Sequence, residues 1–146
     1  MRRAHSFLAT LLPICGVICS GGSLASDATD PAPTELAALM ELGGLSPDAR
    51  YIVFWCADEI RGWQYYESID LIDAYHPQTI LAYGMNGAAL PVGHGAPLRL
   101  RVERQLGYKH AKFVTRIEAV TDLASVGYGK GGFWEDASGY EWYAGI

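Results

Sequence analysis

Cysteine is scarce in this sequence, with three among 146 residues: Cys15, Cys19 and Cys56. That is too few for a disulfide framework. Cys15 and Cys19 stand in an apolar stretch without a nearby His or Asp, and Cys56 is alone in the body of the chain. A zinc-ligand reading therefore has no support. Basic residues are also few, 11 Lys and Arg against 16 Asp and Glu, for a net charge of −5. This excludes a chain-wide basic surface for nucleic acid. Long hydrophobic runs are missing too. The apolar stretch from Phe7 to Cys19 is interrupted by Pro13 and Gly16, and it falls short of the roughly 20 residues that a membrane span needs. There is no His-Glu-x-x-His pattern, no internal repeat, and no Ser, His and Asp order that stands out.

What the chain does have is core material. Half of it is hydrophobic and 12% is aromatic, with four Trp and nine Tyr. Such a composition excludes a disordered acidic tail and suits a single domain with a real core. The first 33 residues differ from the rest. Met1-Arg2-Arg3 is a positive start, the apolar run follows, and Ser23 and Ala25 are small residues two apart. This is the layout of a secretory signal, with Ala25 as the candidate cleavage position, and it predicts export to the periplasm or beyond; the alternative is an apolar stretch with no bearing on export and a cytoplasmic chain. Asp27 to Pro33 reads as a linker, because Pro31 and Pro33 block helix. The expected division is a signal-like segment and linker over 1–33 and a domain over 34–146.

Within the domain, Thr34 reads as a helix N-cap, with Leu36, Leu39, Met40 and Leu42 on one apolar face and Gly43-Gly44 as the stop. Tyr51 to Cys56 is a continuous apolar run that predicts a buried strand. Asp58 to Gly62 reads as a polar loop, and Ser68 to Ala74 as a short helix capped by Ser68. Thr79 to Met85 predicts another strand, and Asn86-Gly87 a hairpin turn. Leu98, Leu100 and Val102 alternate with Arg99, Arg101 and Glu103, as in a half-buried strand. Phe113 to Val120 is the last clear strand. The tail from Gly127 to Ile146 is rich in Gly and aromatics and predicts an ordered irregular arm. The class is mixed and mostly β.

Charge is unevenly spread. Between Arg99 and Arg116 six cations stand against the single acid Glu103. Such a window either faces solvent or holds a small anion. The segments His94-Gly95-Ala96-Pro97-Leu98-Arg99 and Gly107-Tyr108-Lys109-His110-Ala111-Lys112 each set His beside cations and glycine. Glycine lets backbone N–H groups approach a ligand, Arg offers a planar fork and Lys a point charge. Neither segment is a Walker loop or a Gly-x-Gly-x-x-Gly. A phosphate-bearing ligand clamped between two loops is one reading; a turn His94 and a surface His110 are the other. Glu67 and Asp70 read as a solvated helix start, since acids favour that end.

A longer string follows in order: Tyr65-Tyr66-Glu67-Ser68-Ile69, His76-Pro77-Gln78-Thr79, Leu81-Ala82-Tyr83, Met85-Asn86-Gly87, Leu90-Pro91, His94 to Leu100, Gly107-Tyr108-Lys109, Trp134-Glu135 and Gly139-Tyr140-Glu141-Trp142. From Thr34 to Ile146 the chain resembles the molybdopterin-binding oxidoreductases of the sulfite oxidase family, which includes the bacterial methionine sulfoxide reductase catalytic subunit. The resemblance implies an α+β, mostly β fold and one molybdenum–molybdopterin cofactor. It also implies oxygen-atom transfer in which the cofactor carries the hard chemistry, and an electron-transfer partner. By the same resemblance His94 contacts the pterin, Arg99 anchors its phosphate end, and His110, Ala111 and Lys112 form a cofactor-contacting triplet. Cys56 falls where relatives carry a small polar or sulfur residue near the pterin. Tyr65 aligns with the tyrosine beside the molybdenum. Tyr66 and Glu67 differ from the small residues of the sulfite enzymes, which argues against sulfite as substrate.

One element of the family pattern has no counterpart. The metal-ligating cysteine of relatives lies upstream, in a Cys-Val-Glu-Gly-Trp-like segment. The surroundings of Cys15 and Cys19 do not match it. The resemblance thus implies a domain truncated at its N-terminal side. The alternative is a non-enzymatic exported domain that keeps the anion pocket for a small phosphate-bearing ligand or a partner chain.

Overall fold

The computed structural model describes residues 34–146; the signal-like segment, with Cys15 and Cys19, lies outside the described residues. The apolar run at Tyr51 forms the middle of a sheet. Strand β2 (Tyr51–Ile60) pairs antiparallel with β3 (Trp63–Asp70) on one side and with β8 (Val114–Val120) on the other. Both its neighbours are hydrogen-bonded and both its faces are covered, so a continuous apolar sequence is what this position demands. The β2–β3 turn is Arg61-Gly62, at φ 56° and 82°. Two successive positive φ values match the right-handed twist of the strands. The expected loop at 58–62 therefore shrinks to two residues, and the strands run longer on both sides. Glu67 and Ser68, expected at a solvated helix start, are buried in the middle of β3.

A second sheet holds β1 (Thr34–Glu35), β4 (Thr79–Ala82) and β7 (Arg99–Val102), in the order β1-β4-β7. Thr34 thus pairs with Leu81 instead of capping a helix. Helix α1 (Leu36–Gly43) buries Leu36 and Met40, while Leu42 is 87% exposed and lies off the apolar face. The short α2 (Leu71–Ala74) is capped by the Asp70 carboxylate, which accepts from the Asp73 N–H at 2.8 Å; Ser68 takes no part. Asn86-Gly87 turns the small hairpin β5 (Gly84–Met85) to β6 (Ala88–Ala89) at φ 54° and 76°.

The core between these elements includes Leu36, Ile52, Phe54, Ile69, Leu81, Leu100, Val102 and Val114. Each such side chain contributes about 1.5–3 kcal/mol by leaving water. The C-terminal arm, expected to be irregular, contains a helix, α3 (Phe133–Ser138). Its aromatics pack as a set: Phe133 against Tyr65, Trp134 stacked on Tyr140, Tyr140 edge-on to Tyr108, and Trp142 edge-on to Tyr51. The end of the arm is fixed to the loop after β7, where Leu106 N–H donates to the Ala144 carbonyl and Ile146 N–H to the Arg104 carbonyl. The fold is α+β and mostly β.

Candidate functional site

The basic window does not form one face. Arg101 pairs with Glu103, Arg104 with Asp73, and Arg116 with Glu118 while lying over the Trp55 ring. Lys109 is fully buried between two carboxylates. Among the described residues, Arg99 and Lys112 are the cations of the window without an ion pair.

These two flank one glycine. Gly95 has φ 105°, and a methyl added to it would stand 2.9 Å from Lys112 Cβ and Cγ and 3.3 Å from Arg99 Cβ. A side chain at 95 would press on the stems of both residues, so glycine is what lets the two stems pack here. Gly95 ends the 3-10 turn Val92–His94 and precedes the cis Ala96–Pro97 bond. Arg99 Nη1 donates to the His94 carbonyl at 3.1 Å, which orients the guanidinium. Its Nε is buried and has no partner. Burial disfavours the charge on Arg99, and Arg101 adds to that effect. A half-buried cation with an orphaned donor fits an anionic oxygen. His94 itself is exposed.

The far end of β2 joins this cluster through Phe113. Its N–H donates to the Gly95 carbonyl at 3.0 Å and its own carbonyl accepts from Ala57 N–H at 2.9 Å. Phe113 holds φ 54°, uncommon outside glycine. Burial holds the Asp58 carboxyl above its ordinary value, opposed by a backbone hydrogen bond and by the nearby Lys112 charge. Asp58 Oδ1 is a second buried atom without a partner.

Cys56 and Tyr65 lie on the same side of the sheet as Phe54 and Glu67, which pair directly. The Cys56 thiol is fully buried and pushed up to about 12, by burial first and then by Asp58 and Glu67. It is a neutral thiol at neutral pH. The Tyr65 hydroxyl donates to the Tyr108 carbonyl at 2.8 Å. Burial, with Glu67 and Cys56 adding, raises its pKa well above the ordinary tyrosine value, so it stays a phenol. His110 turns Nε2 to the carbonyls of Val102, at 2.8 Å, and Gln105, at 3.2 Å, so that this nitrogen serves the loop after β7. Ala111 is buried, and its carbonyl accepts from Leu100 N–H at 2.8 Å. The structure thus gathers Arg99, Lys112 and the His94 backbone around Gly95 and sets the Cys56–Asp58 end of β2 beside them.

Sequence context did not mark Glu67 or Glu135 as site residues, and it set Lys109 in a basic, anion-clamping segment, whereas the structure turns Lys109 inward. Glu67, Lys109 and Glu135 meet in the interior, with Lys109 Nζ 3.2 Å from Glu67 Oε2 and 2.7 Å from Glu135 Oε1. The signal in the sequence is that Glu67 follows Tyr65-Tyr66, Lys109 follows Tyr108 and Glu135 follows Phe133-Trp134, each a charge beside large aromatic rings. No group of three His, Cys, Asp or Glu among the described residues is placed to hold a metal ion, and none of the described helices is long and apolar enough to cross a membrane. A cavity of about 380 Å³ opens elsewhere, lined chiefly by Trp63, Tyr66, Tyr128, Phe133 and Asp136, with none of the Gly95 cluster in its wall.

Comparison with known proteins shows the family to which the chain belongs. Residues 33–128 match the family described as the oxidoreductase molybdopterin binding domain. Over 106 residues the chain is 39% identical to a protein of Azospira oryzae that is provisionally named protein-methionine-sulfoxide reductase subunit YedZ1. That alignment covers 73% of this chain and 36% of the relative, so the chain spans about a third of the curated relative's length. The matched range takes in Arg99, Lys112 and the whole Gly95 cluster, and this chain belongs to the family of molybdopterin-binding oxidoreductase domains.

Proposed function

We propose that this chain holds the phosphate end of a molybdenum–molybdopterin cofactor between Arg99 and Lys112, and serves an oxidoreductase that transfers oxygen atoms. The observation that carries the reading is the buried Arg99 Nε without a partner, beside a glycine against which the Arg99 and Lys112 stems pack closely. The residues fit the anionic part of that group. Arg99 has a free donor at Nε, Lys112 adds a second charge without an ion pair, and Asp58 Oδ1 offers an acceptor to the pterin's N–H groups. The described residues offer no comparable fit to the metal, because Cys56 is a neutral thiol with Sγ turned to the Phe54 carbonyl.

When bound, the cofactor supplies two-electron oxygen-atom exchange. This chain's residues orient it and exclude water. Arg99 and Lys112 neutralise the phosphate, and His94, exposed beside them in sequence, is a polar contact at the surface. Tyr65 holds the turn at Tyr108 through its hydroxyl; it donates to a substrate only when that bond is exchanged. The relative's name supports sulfoxide reduction over sulfite oxidation: a sulfoxide takes up two electrons and two protons and gives a sulfide and water. The electrons come from a redox partner protein. The layout of residues 1–33 supports a signal segment and a periplasmic site of work, with the folded domain beginning near residue 34.

The test is the pterin content of the full chain purified from a host rich in cofactor. Pterin released on denaturation is measured by fluorescence, with circular dichroism as a fold check. Arg99→Ala removes a charge-assisted contact of about 1.5–3 kcal/mol, so retention falls about 10- to 150-fold. Wild-type chain without pterin, or a folded Arg99→Ala chain with wild-type content, overturns the proposal.

A further inference from the structure

Glu67 of β3, Lys109 of the 3-10 turn Gly107–Lys109, and Glu135 of α3 are all at most 1% exposed. Lys109 Nζ bridges one oxygen of each carboxyl. The other oxygens, Glu67 Oε1 and Glu135 Oε2, converge over Gly132, where an added methyl would overlap both. Neither has a donor among the described residues. With both acids ionised, one ammonium would face two carboxylates in the dry interior, which close like charges do not tolerate. The other titratable groups facing Glu67 do not relieve this. Cys56 from β2, Tyr65 and Tyr66 from β3, and Tyr108 from the turn are neutral, and Lys109 is the cation.

We infer that Glu67 and Glu135 share one proton between Oε1 and Oε2, closing a neutral ring with Lys109, and that this ring positions residues 107–112 on the sheet. Burial pushes the Glu67 carboxyl up to about 9, with Lys109 opposing and Glu135 adding, in keeping with a proton held there. The ring ties three segments remote in sequence. Next to Lys109, the Tyr108 carbonyl takes the Tyr65 hydroxyl and the Tyr108 hydroxyl donates to the Glu141 carbonyl at 2.6 Å. Three residues on, Lys112 packs at Gly95. Glu67 and Glu135 are positioning residues for the segment that carries Lys112. Only the ligand that Lys112 meets rests on the cofactor reading; the proton does not.

Infrared spectroscopy of the full chain tests the proton. At neutral pH a protonated-carboxyl stretch is expected in the wild type and is expected to vanish in both Glu67→Gln and Glu135→Gln. Either amide supplies an N–H where the proton was, so both variants fold. Amide exchange tests the positioning. Below about 9 the folded state holds a proton that the opened segment releases, so protection of residues 107–112 is expected to fall about tenfold per pH unit from the ordinary carboxyl range upward, then level off. Glu67→Gln is expected to abolish that slope. A wild type without the carboxyl band, a band that survives in both variants, or a slope unchanged by Glu67→Gln overturns the inference. Absence of pterin with band and slope intact refutes the cofactor reading alone.

Discussion

Gly95 and Lys112 touch through the absence of a side chain: a methyl on Gly95 would stand 2.9 Å from Lys112 Cβ and Cγ, on a backbone at φ 105°. Gly95→Ala must therefore meet both a strained φ and a displaced lysine. A destabilisation of about 1–3 kcal/mol is expected, read as a lower denaturant midpoint at constant slope. Gly93 has nothing within 4 Å of its added methyl, so Gly93→Ala stays within about 0.5 kcal/mol. Equal effects at the two positions would remove the close approach from the account of the site.

The buried carboxyl of Glu67 gives the fold a pH dependence with a definite sign. Its pKa rises from 4.5 to about 9 in the folded chain. The folded state then binds more protons than the unfolded state throughout that window. The stability it contributes is fully present below the lower value and is lost as pH rises through the folded one, at about 1.4 kcal/mol per pH unit for one proton. Chemical denaturation at several pH values should show this slope in the wild type relative to Glu67→Gln. Lys109→Met, which strands two carboxyls without their counter-ion, should cost about 3–5 kcal/mol at neutral pH. A parallel pair of pH profiles for wild type and Glu67→Gln would dismiss the protonated pair.

Much of the fold was legible because its signals are local. The apolar run at Tyr51, the Asn86-Gly87 turn and the alternation from Leu98 to Val102 each act within a few residues. Gly95, Arg99 and Lys112 were legible as two basic segments near glycine, and the sheet brings those segments together. Strand β3 was not legible, because Glu67 and Ser68 interrupt its apolar pattern. They are tolerated in the interior by partners from distant segments: Lys109 for Glu67, and the Gly131 carbonyl and Trp142 indole for Ser68. The same non-locality hid Lys109 inside a window that looked like surface charge, and α3 inside a tail whose glycines mask its short period.

Cys56 provides a chemical check on the β2 end of the site. A thiol pushed up to about 12 is almost wholly protonated in mildly alkaline buffer, and the side chain is fully buried. Iodoacetamide requires the thiolate and access. In the folded chain, peptide mapping should find Cys56 unmodified under conditions that alkylate it fully once denaturant is added. Native labelling at the denatured rate would show an open, ionised thiol, and the neutral role given to Cys56 would fail.

Asp73 decides whether a hydrogen bond or an ion pair holds the arm's far end. Its carboxylate is buried, accepts from the Gln105 side-chain amide, and stands 3.0 Å from Arg104 Nη1. Gln105 in turn accepts from Ala144 N–H at 3.3 Å, so the acid fixes the C-terminus indirectly. Arg104 is 39% exposed, and water screens its pairing; Arg104→Ala should cost no more than about 1 kcal/mol. Asp73→Ala strands a buried amide, at about 1–3 kcal/mol. It should also speed exchange at the Ala144 N–H, which Arg104→Ala leaves nearly unchanged. Two variants of equal cost and equal exchange would assign the work to the ion pair. A costly Asp73→Ala with an unaltered Ala144 amide would show that the acid braces α2 and leaves the arm to its aromatic contacts.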